Sequence, residues 1–311
     1  MKNVFAIIAS YNGADWIDKC LSSLEQSSLL PKIIVIDNGS TDSTTSIIKE
    51  KFRNVQLIEP NVNLGFGQAN NLGLKIALEN NCDYVFLLNQ DAWVEIETLA
   101  DLIEAFESKP KLGILSPIHL NGLGDAIDIF FLDYLKKSDI GNYFQSQILN
   151  KKDSGIIIDT NFVNAAAWLI SANCIKNIGG FDPIFFHYGE DRNYAQRAIY
   201  QGFEIGIHLH SKIFHDREQR ILNSPSNSLA NFKRDWTNEL NLFCDIHQKN
   251  YKSIIFKRIL RNFFLILICL LKGNRNLLSY HYKMLKSIFS SLNQIRISRE
   301  ISVNKNFVAH L

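Results

Sequence analysis

The chain has 311 residues, 46% hydrophobic and 21% charged, with a formal net charge of +2. That balance excludes disordered and fibrous classes and suits one large or two modest globular domains with a sizeable core. Five cysteines, Cys20, Cys82, Cys174, Cys244 and Cys269, lie far apart with no C-x-x-C pair, which speaks against a zinc cluster or a disulfide framework and fits a reducing cytosolic compartment.

The apolar run Val4 to Ala9 is shorter than the ~7–15 residues of a signal-peptide core, so it reads as a buried first strand, Val4–Ser10. Further strands are expected at Lys32–Ile36, Val55–Ile58, Tyr84–Leu88 and Leu112–Ser116. Between them Trp16, Ile17, Cys20, Leu21 and Leu24 recur at helical spacing, and Ile47, Ile48 and Phe52 do so after Ser40-Thr41-Asp42-Ser43. Two more helices are expected near Gln68–Glu79 and Thr98–Glu107. This alternation predicts right-handed βαβ units on a largely parallel sheet. Residues 118–160, with Asn121-Gly122, Gly124, Gly141 and Asp153-Ser154-Gly155 among aromatic residues, read as a loop-rich insertion near the site or a surface hairpin. A helix from about Asp191 to Gly202 and a last strand at Glu204–Leu209 follow.

Polar residues end several of these strands, where an open α/β sheet binds ligands. Asn89-Gln90-Asp91 caps the strand Tyr84–Leu88, and Asp91 there suits a divalent metal or a ribose. Asp37, at the end of the second strand, precedes Asn38-Gly39-Ser40 and a helix start, so it suits a nucleotide base or ribose, or a turn and cap. Asn63-Leu64-Gly65-Phe66-Gly67-Gln68-Ala69-Asn70 resembles a dinucleotide fingerprint, but it follows the third strand and has Asn70 in place of the last glycine. An oxidoreductase reading therefore falls away, leaving a glycine-rich approach to a ligand or a tight turn. Glu190 and Asp191 open a helix behind Phe185 and Phe186, where one acid can cap and the other act as a general base. His215 follows Ile213-Phe214 as a potential metal or phosphate ligand.

Five segments in order resemble the family 2 glycosyltransferases, in particular the bacterial rhamnosyltransferase-like group with a GT-A fold. They are Ala9-Ser10-Tyr11-Asn12, Val35-Ile36-Asp37-Asn38-Gly39-Ser40, Asn63-Leu64-Gly65-Phe66-Gly67, Leu87-Leu88-Asn89-Gln90-Asp91, and Gly180-Phe181-Asp182 continuing to Glu190-Asp191 and His215. The resemblance spans Val4 to about His215. It implies a Rossmann-like, mixed but mostly parallel sheet, and an inverting hexosyl transfer from a dTDP- or UDP-sugar donor to a hydroxyl of a glycan or lipid-linked acceptor. By the same resemblance Ser10, Tyr11, Asn12, Asp37, Gly65, Gly67, Asn70, Asn89 and Gln90 bind the nucleotide sugar, with Tyr11 and Asp37 in the base pocket. Asp91 and His215 hold Mg²⁺ or Mn²⁺, and Asp191, with Glu190 beside it, is the base. Three departures stand out: Asn89 in the first position of the Asp-x-Asp motif, Ala165 where relatives have glycine, and Asn193 where they have aspartate.

From Tyr251 to Leu311 eleven Lys and Arg face one acid, Glu300, which makes that tail +10 and the rest of the chain −8. Its apolar run, Phe263 to Leu271, falls short of the ~20 residues a bilayer span needs. A basic, apolar helix of this kind suits an anionic membrane surface at the inner face of the cell membrane, or packing on an acidic domain; nothing in it resembles a nucleic-acid recognition motif. The expected organisation is a catalytic domain over 1–218 and a helical basic extension over 219–311. Two rival readings remain: a membrane-attached binding protein of the same fold without turnover, and a nucleotidyltransferase, whose Lys/Arg-bearing glycine loop after the first strand is missing.

Overall fold

A computed structural model describes residues 2–60, 62–148, 157–217, 228–303 and 310–311. The expected boundary after residue 218 lies outside the described residues, as do residues 149–156 of the insertion. The chain divides into two compact units, Met1–Asn223 with Val308–Leu311, and Ser224–Phe307.

In the first unit the strands β1 (Val4–Ser10), β2 (Lys32–Asp37), β3 (Gln56–Ile58), β4 (Tyr84–Leu88), β5 (Ala92–Val94), β6 (Leu112–Asn121), β7 (Ile157–Thr160), β8 (Ala167–Ser171) and β9 (Glu204–His215) form one sheet. Its order is β3-β2-β1-β4-β8-β6-β9-β5, with β7 also on β9. β1 to β4 pair in parallel, and β6 pairs in parallel with β9. β8 runs antiparallel between β4 and β6, and β5 and β7 run antiparallel to β9. Six strands thus point one way, which puts the polar ends of β1, β2, β4 and β9 along one rim.

Successive β1 residues serve opposite faces: Phe5 and Ile7 join one core, Val4, Ala6 and Ile8 the other. Both faces are covered, so the strand reads as a continuous apolar run rather than an alternating one. Helices α1 (Ile17–Glu25), α2 (Thr44–Lys51) and α4 (Thr98–Glu107) contribute Leu21, Ile48 and Leu102 to the second core, whereas α3 (Gly65–Glu79) contributes Leu74 to the first.

The segment after Ser116 differs from the loop-rich expectation. β6 continues to Asn121, and α5 (Ile129–Lys137) and α6 (Ile140–Ile148) follow. Asp128 caps α5 by accepting from the Phe130 and Phe131 amides at 3.0 and 2.9 Å, and Phe131 and Leu135 bury one turn apart. β9 likewise runs past Leu209 to His215, because a register shift between the Pro117/His208 and Ile118/Lys212 pairs lets it resume on β6. Helices α7 (Ala172–Ile178) and α8 (Glu190–Tyr200) complete the unit.

The second unit holds α9 (Ser228–Cys244), α10 (Tyr251–Leu271) and α11 (Arg275–Val303). Ile255, Cys269, Met284, Ile288 and Ile295 bury between them. Arg258 pairs with Glu239 at 2.9 Å, Tyr280 donates to Asp235 at 2.8 Å, and Arg299 caps the α9 end through the Phe243 and Gln248 carbonyls.

Candidate active site

The β1 end and the β2–α2 loop are tied together by short polar bonds. Asn12, at φ 46°, donates its amide to Ser40 Oγ at 2.8 Å and accepts from the Thr41 amide at 2.8 Å. Gly13 donates to Thr44 Oγ1 at 2.8 Å. Buried Asp37 accepts from Ser10 Oγ at 3.1 Å, Ser40 Oγ at 2.5 Å and the Ser40 amide at 2.8 Å. Gln90 reaches across from the β4 end: its Oε1 accepts from the Tyr11 amide at 2.9 Å and its Nε2 donates to the Tyr11 carbonyl at 3.0 Å. The five residues Ser10, Tyr11, Asn12, Asp37 and Gln90 are therefore brought together, and the Tyr11 side chain is half exposed.

Asp91 and His215 meet next to this cluster because Ala92 pairs with His215 in the β5–β9 ladder. Asp91 Oδ2 lies 3.5 Å from His215 Nε2, both side chains being buried. Burial, reinforced by the Arg217 charge, pulls His215 down to about 3, so it is a neutral nitrogen donor at physiological pH. The Asp216 amide donates to the Asp91 carbonyl at 2.9 Å, and Trp16 Nε1 donates to Asp216 Oδ2 at 3.1 Å, fixing the β9 end against the first loop. One carboxylate and one imidazole side by side fit Mg²⁺ or Mn²⁺ as a partial ligand set. No group of three or more His, Cys, Asp or Glu is placed to hold a metal among the described residues.

Sequence reasoning missed the brace behind His215. Arg217 binds the Asp128 carboxylate with two nitrogens, one at 2.7 Å, and lies 4.7 Å over the Phe130 ring. Burial alone would raise Asp128, but the Arg217 hydrogen bond and charge hold it below its ordinary value. The fully buried His119 stacks on Phe131 at 4.3 Å and meets His215 edge-on at 6.1 Å. Asp128 and Arg217 lie 89 residues apart, and no local pattern joins them.

The acid pair opens α8. Tyr188 at φ 68° and Gly189 at φ 92° turn the chain into α8, whose first residues are Glu190 and Asp191. Asn89 donates its amide to the Ala166 carbonyl at 2.9 Å, and a hydrogen bond from the Ala165 backbone steadies the Asp191 carboxylate. The segment Ala165-Ala166 thus connects the β4 end to the acid pair, with Ala165 serving through its backbone. Asp191, half-buried, also accepts from the Arg192 amide at 2.7 Å. Burial raises its carboxyl, against the lowering effect of these backbone bonds.

Glu190 is buried, and its Oε2 has no hydrogen-bond partner among the described residues. Burial and then the Asp191 charge push its carboxyl from 4.5 up to about 8. A carboxyl raised in the folded state supports folding below its unfolded value, and that support is lost as pH rises through the folded one. The melting temperature is expected to fall between about pH 5 and pH 8, and Glu190→Gln to flatten the fall. Melts across that range check it; an equal slope in the variant would remove Glu190 as the buried acid.

The glycine-rich segment packs against this same loop. A Cβ on Gly65, at φ +73°, would come within 2.3 Å of the Phe186 carbonyl, and one on Gly67 would lie 3.0 Å from Phe181 Cβ and 3.6 Å from Glu190. Gly65 and Gly67 thereby let the acid-bearing loop rest on the start of α3. Asn70 is buried and donates to the Phe66 carbonyl at 2.9 Å within the helix. Two further residues were invisible in the sequence. Asn71 clamps the Phe181 backbone in both directions, at 2.8 and 2.6 Å. Buried Arg197 donates to the Ile178 and Gly180 carbonyls at 2.6 and 2.5 Å, with its Nε on Asn193 Oδ1 at 3.0 Å. Asn193 is thus a neutral partner for a buried cation.

The chain is 21% identical over 255 residues, 74% of its length and 81% of the relative's, to the N-acetylglucosaminyl-diphospho-decaprenol L-rhamnosyltransferase of Mycobacterium tuberculosis. It is 29% identical over 187 residues to the poly-beta-1,6-N-acetyl-D-glucosamine synthase of Staphylococcus epidermidis, covering 58% of this chain and 42% of that one. In fold it resembles S. aureus TarS, at a TM-score of 0.54 and 16% identity over 96% of this chain and 55% of that one. The Pyrobaculum calidifontis mannosyltransferase PcManGT, solved with GDP-Man and Mn²⁺, gives a TM-score of 0.54 at 15% identity over 96% and 84% of the two chains. The profile described as Glycosyl transferase family 2 matches residues 5–164, about half the chain; with the GT-A fold and the ordered strand-end residues, this chain belongs to glycosyl transferase family 2.

Proposed function

We propose that this glycosyltransferase inverts: it moves a hexosyl group from a dTDP- or UDP-sugar to a hydroxyl of a glycan or lipid-linked saccharide in bacterial surface polysaccharide synthesis. The observation that carries the proposal is the placement of Asp91–His215 and Glu190–Asp191 at two ends of one short backbone path through Asn89 and Ala166. The acceptor class is supported by the rhamnosyltransferase and poly-N-acetylglucosamine synthase among the relatives. The donor class is supported by TarS structures with UDP and UDP-GlcNAc.

The chemistry follows from the residues. Tyr11 offers an aromatic face for the base, and the zipped loops around Ser10, Asn12, Asp37 and Gln90 give that face a fixed floor. Mg²⁺ or Mn²⁺ held by Asp91 and His215 would neutralise charge on the diphosphate leaving group. Asp191 removes the acceptor hydroxyl proton as that oxygen bonds to the anomeric carbon. The bond to the diphosphate breaks with its electron pair leaving on phosphate oxygen. Attack from the opposite face inverts the anomeric configuration. Glu190, protonated at neutral pH, leaves a single negative charge on the pair and keeps Asp191 the proton acceptor.

In this reading residues 1–218 are the catalytic domain, and 219–311 a basic extension that holds the enzyme at the cytoplasmic face of the membrane. A thermal-shift panel of nucleoside diphosphates with and without Mn²⁺ identifies the donor base. Stabilisation by UDP or dTDP that grows with Mn²⁺ is expected; no response to any nucleotide would contradict the donor site.

A further inference from the structure

The α10 helix exposes Phe256, Leu260, Phe263, Phe264, Leu267, Leu270 and Leu271, from 44% to 89% each. At ~100° per residue these side chains fall within a sector about 120° wide, opposite the buried Ile255, Asn262 and Cys269. Lys257, Arg261 and Lys272 follow along one edge of that sector, and Lys252 precedes it at the N-terminal end. Arg258 is engaged by Glu239 on the packed side. No described helix is long and apolar enough to cross a membrane.

We infer that α10 lies in the plane of an anionic lipid surface, with its Phe263–Leu271 half inserted and its cationic edge on the lipid headgroups. The inference rests on the membrane placement proposed for residues 219–311 and names the face that makes it. Three features select lipid over a second copy of the chain. A two-stranded seam uses a narrow stripe, whereas Phe264 and Leu271 broaden this one beyond what a partner helix covers. The cations stand on one edge with no acids on α10 to answer them across a self-interface. Finally, apolar character grows toward the C-terminal half while charge concentrates in the N-terminal half, the gradient of a tilted interfacial helix.

Flotation of the full chain tests it, using vesicles of phosphatidylcholine alone or mixed with phosphatidylserine. The chain is expected to float with the mixed vesicles, weakly with phosphatidylcholine, and to be partly released by high salt. The combined change Phe263→Ser, Phe264→Ser and Leu267→Ser, all on exposed positions, should lower partitioning by roughly a hundredfold. If that variant folds poorly, Lys257→Glu with Lys272→Glu should selectively weaken binding to the mixed vesicles. Equal flotation of the variants, no flotation of the full chain, or a dimer split by the serine changes would each overturn the inference. UDP or dTDP binding, measured in parallel, stays intact in all of these outcomes if the donor site is right.

Discussion

Asp191→Asn is expected to lower sugar transfer by roughly 10² to 10⁴, the usual contribution of a positioned general base, with donor affinity unchanged. The amide keeps the shape of the carboxylate and can still accept from the Arg192 amide, so the helix start survives. It cannot take a proton from the acceptor. The loss therefore falls on kcat, while the nucleotide midpoint in a binding titration stays where it was. Near wild-type turnover would move the base to another residue. Glu190→Gln should differ from it: that side chain is held neutral by burial, and its effect appears chiefly in the pH dependence of stability.

Asp91→Ala is expected to abolish the part of donor binding that depends on Mn²⁺, weakening nucleotide affinity at least tenfold, the scale of losing an ion's bridging charge. The backbone bond from the Asp216 amide to the Asp91 carbonyl does not involve the side chain, so the β9 end keeps its place. Without metal, variant and wild type should bind alike. Calorimetric titration with UDP or dTDP, with and without Mn²⁺, separates the two contributions. Unchanged metal enhancement in the variant would show that the ion, if used, is held elsewhere. Because Asn89 replaces an acid, Asp91 is the one carboxylate of the Asn89-Gln90-Asp91 turn, and the effect of removing it should be correspondingly large.

The strands legible in the sequence were those with unbroken apolar runs. β1 and β4, each covered on both faces, match their expected bounds, and α4 matches those expected from its helical spacing, with Leu99, Leu102, Ile103 and Phe106 buried along one side. β5 has only three residues and no period of its own; pairing with β9 creates it. The α5 helix was hidden among glycines and aromatic residues, although Asp128 followed by Phe131 and Leu135 is a cap before a helical spacing. The mixed half of the sheet, where β8 reverses between β4 and β6, has no local signature at all.

At the site the sequence supplied residue types at strand ends, and the structure supplied their neighbours. The meeting of Asp91 with His215 could be anticipated only conditionally, since it depends on register across the β5–β9 ladder. Gly65 and Gly67 read as a ligand approach or a tight turn; that their lack of side chains also admits Phe186, Phe181 and Glu190, from more than a hundred residues away, had no local sign. Arg197 on a helix gives no sign that it ties the Ile178 and Gly180 carbonyls.

Release of nucleoside diphosphate from UDP- and dTDP-sugars reads out metal-assisted transfer with Asp191 as base. Wild-type protein should release diphosphate with Mn²⁺, faster with a glycan or lipid-linked acceptor, and in Asp191→Asn the acceptor-dependent release should fall by roughly 10² to 10⁴. Saturable donor binding by the wild type with no release under any condition would overturn transfer by these residues and leave a binding protein on a transferase fold.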